Sequence, residues 1–162
     1  MKKASSLLLS LTLLLSLLLT ACGGTAVKND VAVSELGTSI DSAIGNSGDM
    51  VDAPESYITS SMKLDVSSVS EYVVKINSRG VNIDEYGIFK AADDAQLKEL
   101  QTLVKDYLQF RLDTWMVEYM PEELPKLESA EIKTVGNYVM YAILSDSGKK
   151  AAFSALEDSL KA

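Results

Sequence analysis

The sequence predicts an α+β fold, an antiparallel sheet of two β-hairpins with a long helix and flanking shorter helices packed on it. Three observations predict it. Two pairs of strand-like segments, residues 71–76 with 84–90 and 131–135 with 138–144, are each joined by a turn too short for a parallel crossover. Between the pairs, apolar residues recur at three- and four-residue steps for roughly seven helical turns, up to Pro121. A shorter helical pattern precedes the first pair and another follows the second, so the order is helix, hairpin, long helix, hairpin, helix.

In the first helix, Val33, Leu36, Ile40 and Ile44 share one face, and Gly45-Asn46 closes it with a left-handed residue. Residues 48–54 read as loop. Short helical turns are expected from there to Ser70, with Tyr57, Ile58, Met62, Leu64 and Val66 as apolar anchors. "EYVVKI" sets Tyr72, Val74 and Ile76 against Glu71 and Lys75, the pattern of a half-buried strand. Its partner "DEYGIFK" carries Tyr86 and Ile88 on one face and Phe89 on the other, with a bulge expected near Val81 to Ile83.

The long helix starts at Asp93 as N-cap, with Gln96 in the capping-box position. Leu97, Leu100, Val104, Leu108, Leu112, Trp115 and Tyr119 form its core stripe, deepest at Val104 and Leu108. Leu103, Tyr107, Phe110 and Val117 widen that arc, while Lys98, Thr102, Lys105 and Gln109 form the wet face. "PEELPKLES" is a proline-bounded connection pinned by Leu124 and Leu127. The second hairpin turns at Gly136, and the stretch from Tyr138 to Leu144 is apolar on both faces, which places it centrally in the sheet. A last helix is capped by Asp146 or Ser147 and turns Ala152, Phe153, Leu156 and Leu160 inward.

The N-terminal residues carry an address. Met1-Lys2-Lys3 precedes Leu7 to Leu19, thirteen residues of which ten are leucine. A spanning helix needs about 20 apolar residues, whereas the core of an export signal needs about 7 to 15. Leu19-Thr20-Ala21-Cys22 then resembles the lipobox of bacterial lipoproteins, in which the small residues admit a peptidase and the cysteine takes a diacylglyceryl thioether. Cys22 is the single cysteine, so it has no partner within its own chain. The expected division is a signal peptide over 1–21, a lipid-anchored flexible linker over 22–32 and one α+β domain over 33–162. Expected localisation is the cell membrane, outside the cytoplasm, with membrane lipid as partner through acylated Cys22.

Composition narrows the chemistry. Net charge is −8, and becomes −10 once Lys2 and Lys3 leave with the signal, which argues against nucleic acid as a partner. Without histidine, neither histidine-based triads nor the usual zinc sites can be built, and no cofactor or metal is expected. Ser147-Gly148-Lys149 reads as a helix start rather than a serine–lysine pair. Glu118, Glu122, Glu123 and Glu128 are the only carboxylates grouped as a glycan hydrolase would need, and a solvated acidic edge accounts for them. Glu85, Lys90 and Arg111 read as a structural ion-pair set. Trp115, Tyr119 and Tyr138, with Met120 and Tyr141, are the candidate binding residues, since aromatics beside a proline-bounded loop can stack a sugar or grip a peptide.

"EYVVKI", "DEYGIFKAAD", "YMPEELPKLESAEI" and "GNYVMYAILSD", in this order, resemble a clostridial-type lipoprotein family, the domain of unknown function 4358, over about Val33 to Leu160. The resemblance implies a lipid-anchored extracytoplasmic domain and brings no catalytic residues with it. The resulting expectation is a non-enzymatic binding or accessory module of the cell envelope, with an envelope protein or glycan as partner. A carboxylate-dependent hydrolase and a structural spacer are the alternatives.

Overall fold

The structure, a computed structural model, describes residues 26–46, 48–79, 82–116 and 118–162. Helix α1 spans Val33–Ile44, strand β1 Met50–Asp52 and helix α2 Glu55–Ser61, followed by a 3-10 turn at Val66–Ser68. Strands β2 (Glu71–Asn77) and β3 (Glu85–Lys90) form the first hairpin, and helix α3 runs over Asp94–Asp113. After a short helix α4 (Leu124–Glu128) come β4 (Glu131–Val135), β5 (Tyr138–Ile143) and the last helix, α5 (Asp146–Leu160). All five strands join one antiparallel sheet in the order β1-β2-β3-β5-β4. The fold is α+β, as its sequence pattern indicates.

The two hairpins meet along β3 and β5, whose residues are nearly all buried because helices cover both faces. Alternation along β3 decides which face receives what. Tyr86 and Ile88 go to the face covered by α1 and α5, with Ile40, Tyr138, Met140 and Leu156. Phe89 goes to the face covered by α2, α3 and α4, with Ile58, Val104, Leu127 and Tyr141. Gly87 stands opposite Tyr141, and a Cβ there would lie 2.3 Å from the tyrosine ring. Glycine at this position lets Tyr141 lie flat across β3.

Four details differ from the sequence expectation. The loop before Pro54 contains β1, a three-residue edge strand paired with β2 through Met50 to Asp52. Helix α3 stops at Asp113, well before Pro121, because the Thr114 amide and hydroxyl both bond back to the Phe110 carbonyl and Trp115 N–H turns to Leu112. The cap of α5 is Ser145, whose hydroxyl accepts from Gly148 N–H. Finally, residues 26–31 are fixed rather than loose. Lys28 N–H bonds to Leu160 O, Ala162 N–H to Ala26 O, Asn137 N–H to Asn29 Oδ1 and the Tyr138 hydroxyl to Val31 O. The bulge expected near Val81 lies partly outside the described residues, while pairing from Glu71–Lys90 to Ile76–Glu85 is uninterrupted.

These contacts give the domain two distinct ends. The N-terminal segment sits beside the Gly136 turn, where β3 ends and α3 begins, since Ala91 N–H bonds to Asn137 O. Helix α3, 20 residues long, carries the chain about 30 Å away to the opposite end, where Met116 and Tyr119 are exposed.

Candidate binding groove

The C-terminus of α2 runs antiparallel beside α3, and the packing between them leaves a groove. Helix α2 ends on Met62, and the next residue, Lys63, takes the left-handed conformation at φ 58°. Leu64 N–H then reaches back to Ile58 O and closes the helix end, a place where glycine usually holds the left-handed position. The cavity this leaves against α3 is about 670 Å³. Met62, Leu103, Tyr107 and Phe110 give it an apolar lining. Its rim carries Lys63 from the α2 side and Lys98, Thr102 and Asp106 from α3. Phe110 is 46% exposed and extends the apolar strip of Leu103 and Tyr107 to the open end of the groove.

Directly behind Tyr107 lies a buried polar cluster. Glu85, only 2% exposed, accepts from the Tyr107 and Tyr141 hydroxyls, each at 2.6 Å through Oε1. Its Oε2 accepts from Tyr57 at 3.0 Å and from Arg111 Nη1 at 2.5 Å. Arg111 also donates to the Tyr57 and Tyr107 oxygens, both at 2.8 Å, so those phenols accept from the cation while donating to the carboxylate. Burial first, and then the Glu85 charge, pushes the Tyr57 hydroxyl up to about 12 and raises Tyr107 and Tyr141 well above the ordinary phenol value. Burial alone would lower Arg111, but Glu85 and the phenols reverse that and hold it cationic. The cluster ties α2, α3, β3 and β5 together and fixes the relative position of the groove walls.

The family model for the domain of unknown function DUF4358 matches residues 42–144. The chain belongs to the DUF4358 family. No curated protein and no solved structure matches it. The DUF4358 segment takes in the whole sheet, α2, α3 and α4, and so contains both the groove and the Glu85 cluster. Most of α1 and all of α5 lie outside it.

The structure scatters the aromatic residues that the sequence suggested for binding. Tyr138 is fully buried on the α1–α5 face. Trp115 packs half-buried against the core of the α3 face, its indole N–H without a partner. Tyr119 is 68% exposed at the far end of α3, and Tyr141 belongs to the Glu85 cluster. Nor do the carboxylates of this DUF4358 domain converge. Glu123 accepts from Ile83 N–H and from Lys126, while Glu118, Glu122 and Glu128 are exposed. Lys149 is occupied by Ser129 O, Glu131 and Asp146, which leaves Ser147 without a free amine. Of the proposed ion-pair set, Glu85 does meet Arg111, whereas Lys90 pairs with Glu71. Among the described residues no cluster of acidic side chains is suited to a metal, and no helix is long and apolar enough to cross a membrane. Cys22, with Leu19, Thr20 and Ala21 before it, lies outside the described residues.

Sequence reasoning missed the groove, although it named Leu103, Tyr107 and Phe110 as the side that widens the apolar arc. The available signal was that width. An apolar arc broader than one sheet contact needs a second neighbour, and here α2 covers only part of it.

Proposed function

We propose that the chain is a lipid-anchored extracytoplasmic binding module of the cell envelope, held by acylated Cys22, with the groove between α2 and α3 as its binding site. One observation carries the reading: a cavity of about 670 Å³ with an apolar lining, its walls fixed from behind by the Glu85 cluster. Ligand sites are concave, largely apolar and preformed, commonly about 300 to 1,000 Å³. The scattered carboxylates give no support to hydrolysis, and a spacer has no use for a lined cavity. The leucine-rich start and the lone cysteine support the anchor, and the N-terminal segment docked at one end supports a tethered orientation.

Two measurements test the two halves. Metabolic labelling with a fatty acid is expected to mark the native chain and not Cys22→Ser; label retained on the serine variant overturns the anchor. For the groove, Thr102→Trp places a large ring from an exposed rim position into the cavity. It is expected to abolish binding of an apolar fluorescent dye without changing the melting temperature. Equal dye binding by the variant rejects the groove as a site.

A further inference from the structure

Resting on the groove as the binding site, we infer that its ligand is a single-chain amphiphile with an anionic head, a carboxylate or a phosphate monoester. Three observations lead there. The first is size. The α3 wall runs from Lys98 to Phe110, thirteen residues and about 18 Å of helix rise, close to the length of one acyl chain, half of a hydrocarbon core about 30 Å thick.

The second is charge. Lys63 and Lys98 line the groove, and neither ammonium has an ion-pair partner among the described residues, in a chain with 23 acidic and 15 basic side chains. Lys75, Lys90, Lys126, Lys133, Lys149 and Lys161 are paired. Lys28, Lys105 and Lys150 are exposed and unpaired elsewhere among the described residues, so what distinguishes Lys63 and Lys98 is that both line one apolar groove. Glu99 and Asp106 also line the cavity, yet neither is within ion-pairing distance of the two lysines. An anionic head between Lys63 and Lys98 would complete both contacts while its chain lies along Leu103, Tyr107 and Phe110.

The third is the backbone at Lys63. Its φ of 58° is the only positive φ at a non-glycine residue among the described residues, at a helix end where glycine is free of strain. A lysine kept at such a position costs the fold something, and residues held this way concentrate at ligand sites. Glycine there would relieve the backbone and remove the ammonium in one step, which separates binding from folding.

The test uses the full chain reconstituted in neutral vesicles and three photoactivatable probes with the same acyl chain: a fatty acid, a lysophosphatidic acid and an uncharged monoacylglycerol. Crosslinks are mapped by mass spectrometry. Both anionic probes, or one of them, are expected to label the peptides holding Met62 and residues 98–111, with the monoacylglycerol labelling at least several-fold less. Preference between the two anions identifies the head. Lys63→Gly and Lys98→Gln are each expected to weaken that labelling about fivefold, the scale of one exposed charge contact. For Lys63→Gly the melting temperature stays level or rises. Equal labelling by the uncharged probe, or labelling unaffected by both lysine variants, overturns the inference and leaves the groove as a binding site. Absence of groove crosslinks with every probe, matching that of Thr102→Trp, overturns both.

Discussion

On the face of the sheet covered by α1 and α5, the buried surface is aliphatic and aromatic, and its two buried phenols find separate partners. The Tyr86 hydroxyl donates to Asp41, and the Tyr138 hydroxyl donates to the backbone at Val31. On the face covered by α3, four side chains from three elements, Tyr57, Tyr107, Arg111 and Tyr141, share one carboxylate, that of Glu85 on β3. The first face behaves as a sum of separate contacts, each worth what its own apolar area is worth. The second is coupled, because removing any member leaves the others buried with unmet hydrogen bonds. A coupled cluster fixes geometry more sharply than apolar packing does, and it lies on the side that carries the groove.

The largest effect should follow from breaking the cluster at its centre. Glu85→Ala strands Arg111 and two buried phenols, and is expected to cost about 3 to 5 kcal/mol in urea unfolding, the range for removing one partner of a buried pair. On the other face, Leu156→Ala is expected to cost about 3 kcal/mol, from lost apolar burial and the cavity left behind. Pairs of substitutions sharpen the contrast. Tyr107→Phe with Tyr141→Phe should depart from additivity by about 1 kcal/mol or more, because both hydroxyls donate to the same Glu85 oxygen. Tyr86→Phe with Leu156→Ala should add to within about 0.5 kcal/mol. Additive behaviour on both faces would remove the distinction.

Much of the fold could be read from periodicity alone. Val104 and Leu108 are buried on α3 and β5 is central, because each expectation depended on a local repeat that packing then honoured. Trp115 and Tyr119 continue the helical spacing, yet the chain leaves the helix at Thr114, where a side-chain bond to the backbone outweighs the pattern. Strand β1 is too short for alternation to register. The Glu85 cluster was less accessible still. Tyr57, Tyr107 and Tyr141 lie 28, 22 and 56 residues from Glu85, so only tertiary folding brings them together. Alternation does put Glu85 on the same face as Phe89, but it does not say how deep. The groove was illegible for the same reason, since its two lysines, 35 residues apart, have no common motif.

A smaller effect is expected at the N-terminal segment. Removing residues 26–31 takes away the acceptor of the buried Tyr138 hydroxyl and the clasp on Asn137, at a cost of about 2 kcal/mol. A chain starting at residue 26 should lose nothing by comparison. Differential scanning calorimetry on the two truncations distinguishes them, and equal stability would mean the segment is bound too weakly to matter. The gentlest probe is alkali. Because folding raises the Tyr57 hydroxyl from 10.0 to about 12, its neutral form is favoured in the native state. Stability should therefore be steady below pH 10 and decline as the pH rises toward about 12. Tyr57→Phe should flatten part of that decline, whereas an unchanged profile would show that the cluster does not govern it.

The docked segment also determines how the domain meets a mechanical load. Tension entering from the N-terminal side falls first on the Val27–Lys161 bridge and the Asn29–Asn137 clasp, well before any core strand. These few bonds can peel one after another. Drawing out residues 26–31 frees about 20 Å of chain at roughly 3.4 Å per residue, while the sheet and the groove stay intact. If Cys22 is the anchor proposed above, pulling this segment free would let the domain reach farther from the membrane without unfolding.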